Sequence, residues 1–189
     1  MIFASNNKGK LREIREIFDE YGVKSLNEAG INIDVEEDQD SFYGNALKKA
    51  KEIYEIAKEP VIADDSGICI NVFNGWPGVL THRFLGENST PRERNLAMLE
   101  KLKESEDRSA AVVCNLVYYD GKDIVVGKGI INGTIAQECR GENGFGFDEI
   151  FELSNGYTMA ELSIEEKNKI SARALAAVDL KEKLKKRDY

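Results

Sequence analysis

The chain has 189 residues, of which 42% are hydrophobic and 32% are charged, and its formal net charge is −8 at pH 7. This length fits one domain, or one domain with two lobes, and the composition is typical of a soluble globular protein. An acidic chain is a poor non-specific ligand for duplex DNA or an anionic membrane, so we expect neither a nucleic-acid nor a membrane partner. A phosphate-bearing ligand would need a local cluster of Lys and Arg, or Mg²⁺ between carboxylate and phosphate.

Cysteine and histidine usage argues against a zinc site or a disulfide framework. The three cysteines, Cys69, Cys114 and Cys139, are widely spaced, and His82 is the single histidine. The sequence shows no signal-peptide pattern and no apolar run of membrane-spanning length. These features together predict a reduced, cytoplasmic setting.

The first predicted elements are a short buried strand over residues 1–5, the polar loop Ser5–Lys10, and a helix. The helix is predicted because apolar residues recur at helical spacing from Leu11 to Phe18. The Ser and Asn side chains of the loop can cap this helix, and its start offers free N–H groups to an anion. A capped helix with solvated lysines and a phosphate-binding helix start both remain open.

An alternating stretch from Ile31 to Val35 predicts a strand, and a dense acidic run from Glu36 to Asp40 follows it. This run is either a solvated face or, with acidic residues elsewhere, part of an oxygen-ligand site for Mg²⁺. An apolar stripe from Phe42 to Ala57 then predicts a helix that ends before the next proline. Asn45 and Lys49 lie on the flank of that stripe.

The segment Val61–Gly67 runs from three apolar residues into two carboxylates, a hydroxyl and a glycine. Val and Ile favour a strand, which we expect the acidic residues to end and Gly67 to break, with another strand over 68–73. In an extended chain Asp64 and Asp65 point to opposite faces, so we expect them to have different roles. The alternative is a solvated turn, because Asp, Ser and Gly are ordinary turn residues.

Residues 74–78 predict a turn, and Thr90–Glu93 predicts a helix start, with Thr as the cap, Pro in the first turn and Glu reaching back. We expect this helix to bury Leu96, Leu99 and Leu102.

Two strand-rich segments, 109–119 and 124–135, are joined by a polar turn and predict a β-hairpin. Elsewhere strands alternate with helices. The sequence therefore predicts an α/β fold with a mixed sheet.

The segment Gly141–Asp148 interleaves three glycines with two aromatic residues. Glycine permits close backbone approach, and aromatic rings offer faces on which a flat ligand can stack. A glycine-rich loop with buried Phe anchors is an equally good interpretation.

The last segment predicts two helices. A capping box at Ser163–Glu166 opens the first, which carries Lys167, and Ser171 can cap the second. Lys167 and Arg173 are six residues apart, so on one continuous helix they would point away from each other. If both serve one ligand, the helix breaks near Ser171; otherwise both are solvated. We expect the second helix to bury Ala174, Leu175 and Val178.

Five segments, in this order and at this spacing, resemble the Ham1/RdgB-like family of inosine triphosphate pyrophosphatases over nearly the whole chain: Ser5–Lys10, Val61–Gly67, Gly75–Gly78, Gly144–Phe151 and Glu161–Arg173. The resemblance implies a single two-lobed α/β domain over residues 1–189, with a long mixed sheet flanked by helices, a central cleft and a homodimer. It also implies Mg²⁺-dependent hydrolysis of ITP, dITP and XTP to the monophosphate and pyrophosphate, which cleanses the nucleotide pool.

The resemblance implies a role for individual residues. Asp65 matches the general base, and Glu36, or its neighbour Glu37, joins Asp65 at the metal. The Ser5–Lys10 loop matches the segment that binds the phosphate oxygens, and Arg173 matches the residue that contacts the edge of the base. The full set of implied substrate contacts is Ser5, Asn6, Asn7, Lys8, Gly9, Lys10, Ser66, Phe145, Gly146, Phe147, Asp148, Lys167, Ala172 and Arg173.

The chain departs from the family at two places. Ala172 stands where the family usually has His, and Ser5-Asn6-Asn7 stands where it usually has Thr-Gly-Asn. An arginine only donates hydrogen bonds, so it suits a 6-oxo purine and opposes the 6-amino group of adenine, with selection against ATP of roughly a hundredfold or more. The alternatives are a pyrophosphatase for another nucleotide and a regulatory module that binds nucleotide without turnover.

Overall fold

The computed structural model describes residues 1–187. They form five α-helices and six strands, which follow in the order β1 (Ile2–Phe3), α1 (Lys8–Ile17), α2 (Phe42–Ala57), β2 (Val61–Ile70), β3 (Trp76–Pro77), α3 (Pro91–Lys101), β4 (Ser109–Tyr119), β5 (Ile124–Ile135), β6 (Phe151–Glu152), α4 (Ile164–Ile170) and α5 (Ala172–Lys185). Within this described part of the chain, no helix has the length and apolarity needed to cross a membrane.

The strands form a mixed sheet. Strands β1, β2, β4, β5 and β6 are neighbours in that order, and β3 pairs with β2. The pair β1–β2 is parallel, whereas β3 pairs with β2, and β6 with β5, in antiparallel directions. The hairpin predicted over β4 and β5 is confirmed, as is the mixed α/β class.

Contacts within the chain divide it into two compact units. Unit 1 comprises Met1–Ser66, Cys114–Gly129 and the segment that begins at Ser171, and unit 2 comprises Gly67–Val113 and Ile130–Ile170. Because the chain leaves unit 1 and returns to it, each unit is assembled from segments that are distant in sequence.

Unit 1 has an apolar core built around β1, β2 and α2. Its buried members are Ile2, Ala4, Leu26, Ile31, Val35, Ala46, Ala50, Ile53, Val61, Ala63 and Val117. Helix α1 packs against α5. Helix α5 lies close to β5, since a Cβ at Gly127 or Gly129 would come within 2.1 or 1.9 Å of the carbonyl oxygen of Ala176 or Ala172. Only glycine permits this approach, which fixes the position of the first turn of α5.

Helix α3 of unit 2 starts as predicted, with Thr90 as its cap and Glu93 reaching back. The predicted burial of Leu96 was wrong, because this side chain is 50% exposed. Asn95 and Met98 are buried instead. A buried Asn is tolerated here because its amide donates to a backbone carbonyl at 3.0 Å. Apolar spacing alone could not distinguish two helix faces that differ by one residue.

The strand predicted from Ile31 to Val35 is absent from the structure, where this segment has no regular secondary structure. Ile31 and Val35 are buried but Ile33 is 39% exposed, so burial does not follow the two-residue period of a strand. The two buried side chains belong to the core of unit 1, and packing rather than strand pairing accounts for the apolar pattern.

The predicted break at Asp64–Gly67 was also wrong. Strand β2 runs without interruption from Val61 to Ile70, and a short 3₁₀ turn over Asn71–Phe73 replaces the end of the predicted second strand. Every residue from Val61 to Ile68 is buried. A strand can continue through two carboxylates here because both have partners in the interior.

The break between α4 and α5 occurs at Ser171, whose side chain accepts a hydrogen bond from the N–H of Ala174, as predicted. Ala174 is buried, but the predicted burial of Leu175 and Val178 was wrong, since they are 41% and 47% exposed. The buried face of α5 continues through Ala177 and Leu180 instead.

Candidate active site

Asp64 and Asp65 lie in the middle of β2, and they are only 1% and 3% exposed. Because the strand is extended through both residues, their side chains point to opposite faces. Asp64 contacts α1 and α5, whereas Asp65 contacts α2. The predicted difference between the two carboxylates therefore has a geometric basis.

Asp64 is held by two cations. Its Oδ2 accepts hydrogen bonds from Lys10 Nζ at 3.0 Å and from Arg173 Nε at 3.1 Å. Burial opposes ionisation, but the charges of Lys10, Arg173 and Lys49 hold the pKa of Asp64 well below its usual range. Its Oδ1 is buried without a hydrogen-bond partner among residues 1–187. Asp64 is thus a charged anchor with one oxygen still available.

Arg173 connects three elements of unit 1. Its Nη1 donates to Glu13 Oε2 at 3.0 Å, and its Nη2 donates to Ser66 Oγ at 3.1 Å. Burial opposes its charge, but the nearby carboxylates, Asp64 first, raise the pKa of Arg173. The resemblance assigns Arg173 to the base edge of a substrate. The structure places its guanidinium among protein acceptors, and the residue as a whole is 7% exposed.

Asp65 is held by neutral donors. Asn45 Nδ2 donates to its Oδ2 at 2.8 Å, and the backbone N–H of Ser66 donates to its Oδ1 at 2.8 Å. Burial and the negative charge of Glu37 raise the pKa of Asp65 to about 7, although the bond from Asn45 opposes this shift. A carboxylate with this pKa can gain or lose a proton near neutral pH, as acid–base chemistry requires.

The predicted Ser5–Lys10 loop follows β1, but α1 begins at Lys8, so the last three residues of this segment form the first turn of the helix. Asn7 caps the helix, because its Oδ1 accepts the N–H groups of Gly9 and Lys10 at 2.9 and 3.1 Å. Ser5 Oγ accepts the N–H of Asn7 at 3.1 Å. The helix start is therefore occupied by its own cap, and an anion bound there would compete with Asn7 Oδ1.

Asn6 and Lys8, the other side chains of the loop, are exposed. Asn6 Oδ1 accepts the N–H of Asn27 at 2.9 Å. A cavity of about 390 Å³ lies beside the loop, and its polar lining residues are Ser5, Asn6, Asn32, Asp34 and Lys49. The loop thus borders a cavity that is also lined by Lys49.

Lys49 of α2 bridges the acidic run and β2. Its Nζ donates to Glu37 Oε1 at 2.6 Å and to the carbonyl oxygen of Asp64 at 3.1 Å. Burial works in the opposite direction, but Lys49 lowers the pKa of Glu37. Glu37 in turn raises the pKa of Asp65. Glu36 is exposed, and its charge contributes to the raised pKa of Lys48. The structure therefore links Glu37 electrostatically to Asp65.

The oxygen donors around Asp65 suit a hard cation. The negative charge of Glu37 raises the pKa of Asp65, so a cation close to both carboxylates would relieve their repulsion. In the part of the chain that the structure describes, no three Asp, Glu, His or Cys side chains are already grouped to hold a metal ion. The chemistry of the donors fits a divalent cation that keeps several waters.

In unit 2, Asp148 organises the glycine-rich segment. Its Oδ2 accepts the N–H of Phe145 at 2.7 Å and Lys167 Nζ at 2.5 Å. The Lys167 ammonium also lies 4.0 Å from the centre of the Phe145 ring. At Gly144, where φ is +83°, a Cβ would come within 2.2 Å of Asp148 Oδ2. Glycine is therefore required there for both the backbone conformation and the close approach.

The other predicted residues of this segment are anchored less strongly. Gly146 accepts a hydrogen bond from Asn95 Nδ2 at 3.0 Å through its carbonyl oxygen. Phe145 and Phe147 are half-buried, which fits either ring stacking or anchoring. Ala172, the first residue of α5 in unit 1, is buried, so its methyl group has little exposure to any ligand.

Sequence reasoning missed Glu13 and assigned no partners to Asn45 and Lys49. Glu13, 2% exposed, binds Arg173, but nothing in its position on α1 distinguishes it from a surface acid. Asn45 and Lys49 were placed on the flank of a helix stripe, one turn apart, without partners. Their spacing was the available signal, because residues four apart lie on the same helix face.

The Ham1 family model matches residues 1–183. A dITP/XTP pyrophosphatase of Clostridium tetani is 41% identical over 192 residues, covering 98% of this chain and 96% of the relative. One of Bacillus subtilis is 42% identical over 179 residues, covering 92% and 90%.

Solved structures agree with these sequence matches. A HAM1 protein from Coxiella burnetii has a TM-score of 0.89 at 36% identity, with 98% of each chain covered. The Staphylococcus aureus Ham1 protein has the same TM-score at 37% identity and the same coverage. With this match in sequence and fold across nearly its full length, the chain belongs to the Ham1 family.

Proposed function

We propose that this chain is a nucleoside triphosphate pyrophosphatase that hydrolyses the non-standard purine nucleotides dITP, XTP and ITP to the monophosphate and pyrophosphate. Relatives about 40% identical over nearly the whole chain are dITP/XTP pyrophosphatases. The observation that carries the proposal is Asp65, a buried carboxylate fixed by two N–H donors beside Glu37 and Lys49. Such an enzyme removes deaminated purines from the nucleotide pool.

Asp65 is the general base of this reaction. Its Oδ1 and Oδ2 each accept one hydrogen bond, so the carboxylate is oriented and retains lone pairs for a water molecule. Phosphoryl transfer to water depends mainly on positioning and charge neutralisation. Asp65 takes the proton of the attacking water, and Lys10 and Lys49 supply positive charge near the phosphates.

Pyrophosphatases of this kind generally need a divalent metal. We assign Mg²⁺, because its preferred ligands are carboxylate oxygens and water. Asp65 and one residue of the acidic run would hold it, either Glu36 as the resemblance implies or Glu37 as its effect on Asp65 favours. When bound, the cation would neutralise charge on the phosphate oxygens.

The remaining substrate contacts follow the resemblance. Residues of the Ser5–Lys10 loop are assigned to the triphosphate, and Phe145–Asp148 to the base. Ser66 is placed next to the substrate, and Lys167 is assigned to the phosphates or the base. Arg173 and Ala172 are assigned to the base edge. In unit 1 Arg173 already binds three protein acceptors, so any contact with the base uses the N–H groups that those acceptors leave.

The cellular setting that we propose is a cytoplasmic homodimer that binds neither nucleic acid nor membrane. Its chain is one domain of two lobes. The acidic net charge of −8 supports the absence of nucleic-acid binding, because duplex DNA repels such a surface.

The deciding experiment measures products from a panel of triphosphates in the presence of Mg²⁺. With ITP, dITP and XTP the protein should release pyrophosphate and the monophosphate, and ATP should be hydrolysed roughly a hundredfold more slowly. Orthophosphate as the primary product would contradict the proposal. Binding without turnover would favour a regulatory module, and preference for another base would favour a different pyrophosphatase.

A further inference from the structure

Asn45 connects Asp65 to the acidic run that precedes α2. Its side chain is 1% exposed and makes two hydrogen bonds. Nδ2 donates to Asp65 Oδ2 at 2.8 Å, and Oδ1 accepts the backbone N–H of Gln39 at 2.9 Å. One carboxamide therefore joins the loop to the strand.

The second bond fixes the direction of the first. A carboxamide has one accepting oxygen and one donating nitrogen. Because the N–H of Gln39 must meet the oxygen, the nitrogen must face Asp65. Asn45 can thus only donate to the carboxylate, and it holds that carboxylate in one orientation.

The loop itself is pressed against the start of α2. A Cβ on Gly44 would come within 2.9 Å of Gln39 Cβ and 3.0 Å of Ser41 Oγ, so the glycine leaves the space that Gln39 fills. One turn after Asn45, Lys49 makes a parallel bridge from Glu37 to the carbonyl oxygen of Asp64. Two side chains of α2 therefore tie the acidic run to β2.

We infer that Asn45 is a positioning residue for the hydrolytic reaction: it orients Asp65 and sets the distance between this carboxylate and the loop that carries Glu37. The inference rests on the proposed role of Asp65 as general base. Without Asn45, the hydrogen bond from the Ser66 N–H is the only one that the described residues still give the Asp65 carboxylate, which can then turn about its side-chain torsions.

Asn45→Asp and Asn45→Ala separate positioning from packing. Asn45→Asp keeps the shape of the side chain and an oxygen for the Gln39 N–H, but it replaces the donor to Asp65 by a second carboxylate. We expect kcat for ITP to fall about 10- to 100-fold in both variants, with the Asp variant at least as impaired as the Ala variant. The KM for ITP should stay within about threefold, because the interaction acts on the reacting groups.

Two further measurements complete the test. Calorimetric titration with α,β-methylene-ITP should give a Kd within about threefold of wild type for Asn45→Asp, which shows that its binding site is folded. Gly44→Ala, which displaces Gln39, should lower kcat by a smaller factor. The control is Asn71→Ala, which removes a surface bond to Ser109 at 2.9 Å and should leave kcat and KM unchanged.

The outcomes are distinct. If wild type releases pyrophosphate and Asn45→Asp keeps more than about half of its kcat, Asn45 does not act by donating to Asp65 and the inference fails alone. An Asn45→Asp variant clearly more active than Asn45→Ala would assign a packing role and overturn it as well. Wild type that releases no pyrophosphate from any purine triphosphate would overturn the proposed function together with this inference.

Discussion

The two faces of β2 at its midpoint each bury an aspartate, but they shift the pKa of its carboxyl group in opposite directions. On one side Asp64 is bound by Lys10 and Arg173, and its pKa is lowered. On the other side Asp65 is bound by an amide and a backbone N–H beside Glu37, and its pKa is raised to about 7. Burial is nearly equal, so the neighbours decide the outcome.

Because of this difference, two adjacent carboxyl groups are suited to different tasks, one to stabilising the fold and the other to proton transfer. A carboxylate that stays ionised at all physiological pH values can anchor cations but cannot exchange a proton. A carboxylate that titrates near neutrality can do so, although its burial costs free energy of folding. We therefore propose that Asp64 stabilises the fold and that Asp65 takes part in the reaction.

The largest effect should follow from Asp64→Asn. It leaves the buried Arg173 and the half-buried Lys10 beside a neutral amide, and removing one partner of a buried ion pair costs about 3–5 kcal/mol of unfolding free energy. Urea denaturation at pH 7.5 measures the loss. Since the pKa of Asp64 is lowered, its contribution is complete above the ordinary value of 3.8 and disappears as the pH falls below it.

The same substitution one residue later serves as the control. The raised pKa of Asp65 opposes folding increasingly from pH 3.8 to about 7, and Asp65→Asn removes this penalty but introduces one unfavourable contact with a donor, so the loss should be about 1 kcal/mol or less. Equal losses for the two variants would contradict the division between the two sides of β2.

The second-largest effect is the loss of catalytic activity in the Asp65→Asn variant. An amide cannot accept the proton of the attacking water, so kcat for ITP should fall by at least ~10²-fold, the usual contribution of a general base. Steady-state pyrophosphate release measures it. Turnover close to wild type would move the general base to another residue.

The smallest effect comes from a pair of neighbouring lysines on α2. Lys49 contacts Glu37 and the backbone of Asp64, and its charge favours the ionised form of both Asp64 and Asp65. Lys48 instead pairs with Asp38 at 2.9 Å. Lys49→Met should cost about 1–3 kcal/mol of stability, because it leaves partly buried acceptors without their partner.

Lys48→Met is the matched control, and it should cost less than about 1 kcal/mol, as exposed ion pairs usually do. Thermal or urea unfolding of the two variants measures the contrast. If Lys48→Met proved as damaging as Lys49→Met, the contact with β2 would not be the reason for the effect.

Local patterns were sufficient for much of the fold. Helix starts at Thr90 and Ser171, the hairpin over β4 and β5, and the helix from Phe42 to Ala57 were predicted correctly. Capping bonds and hairpin turns involve residues a few positions apart, so the sequence contains all the partners. Strand ends and helix faces were less predictable, because tertiary neighbours decide whether Asp64 or Leu96 is buried.

The sequence by itself determined that Asp64 and Asp65 would be adjacent carboxylates on opposite faces of an extended segment, because the strand period is two. Only the tertiary structure decided that Asp64 is paired with cations and has a lowered pKa, whereas Asp65 has a raised pKa. Lys10, Arg173 and Asn45 come from α1, α5 and α2, and their contacts with β2 bring together residues 20 to 109 positions apart. A pKa depends on the charges and donors within a few ångströms, and folding alone sets those distances.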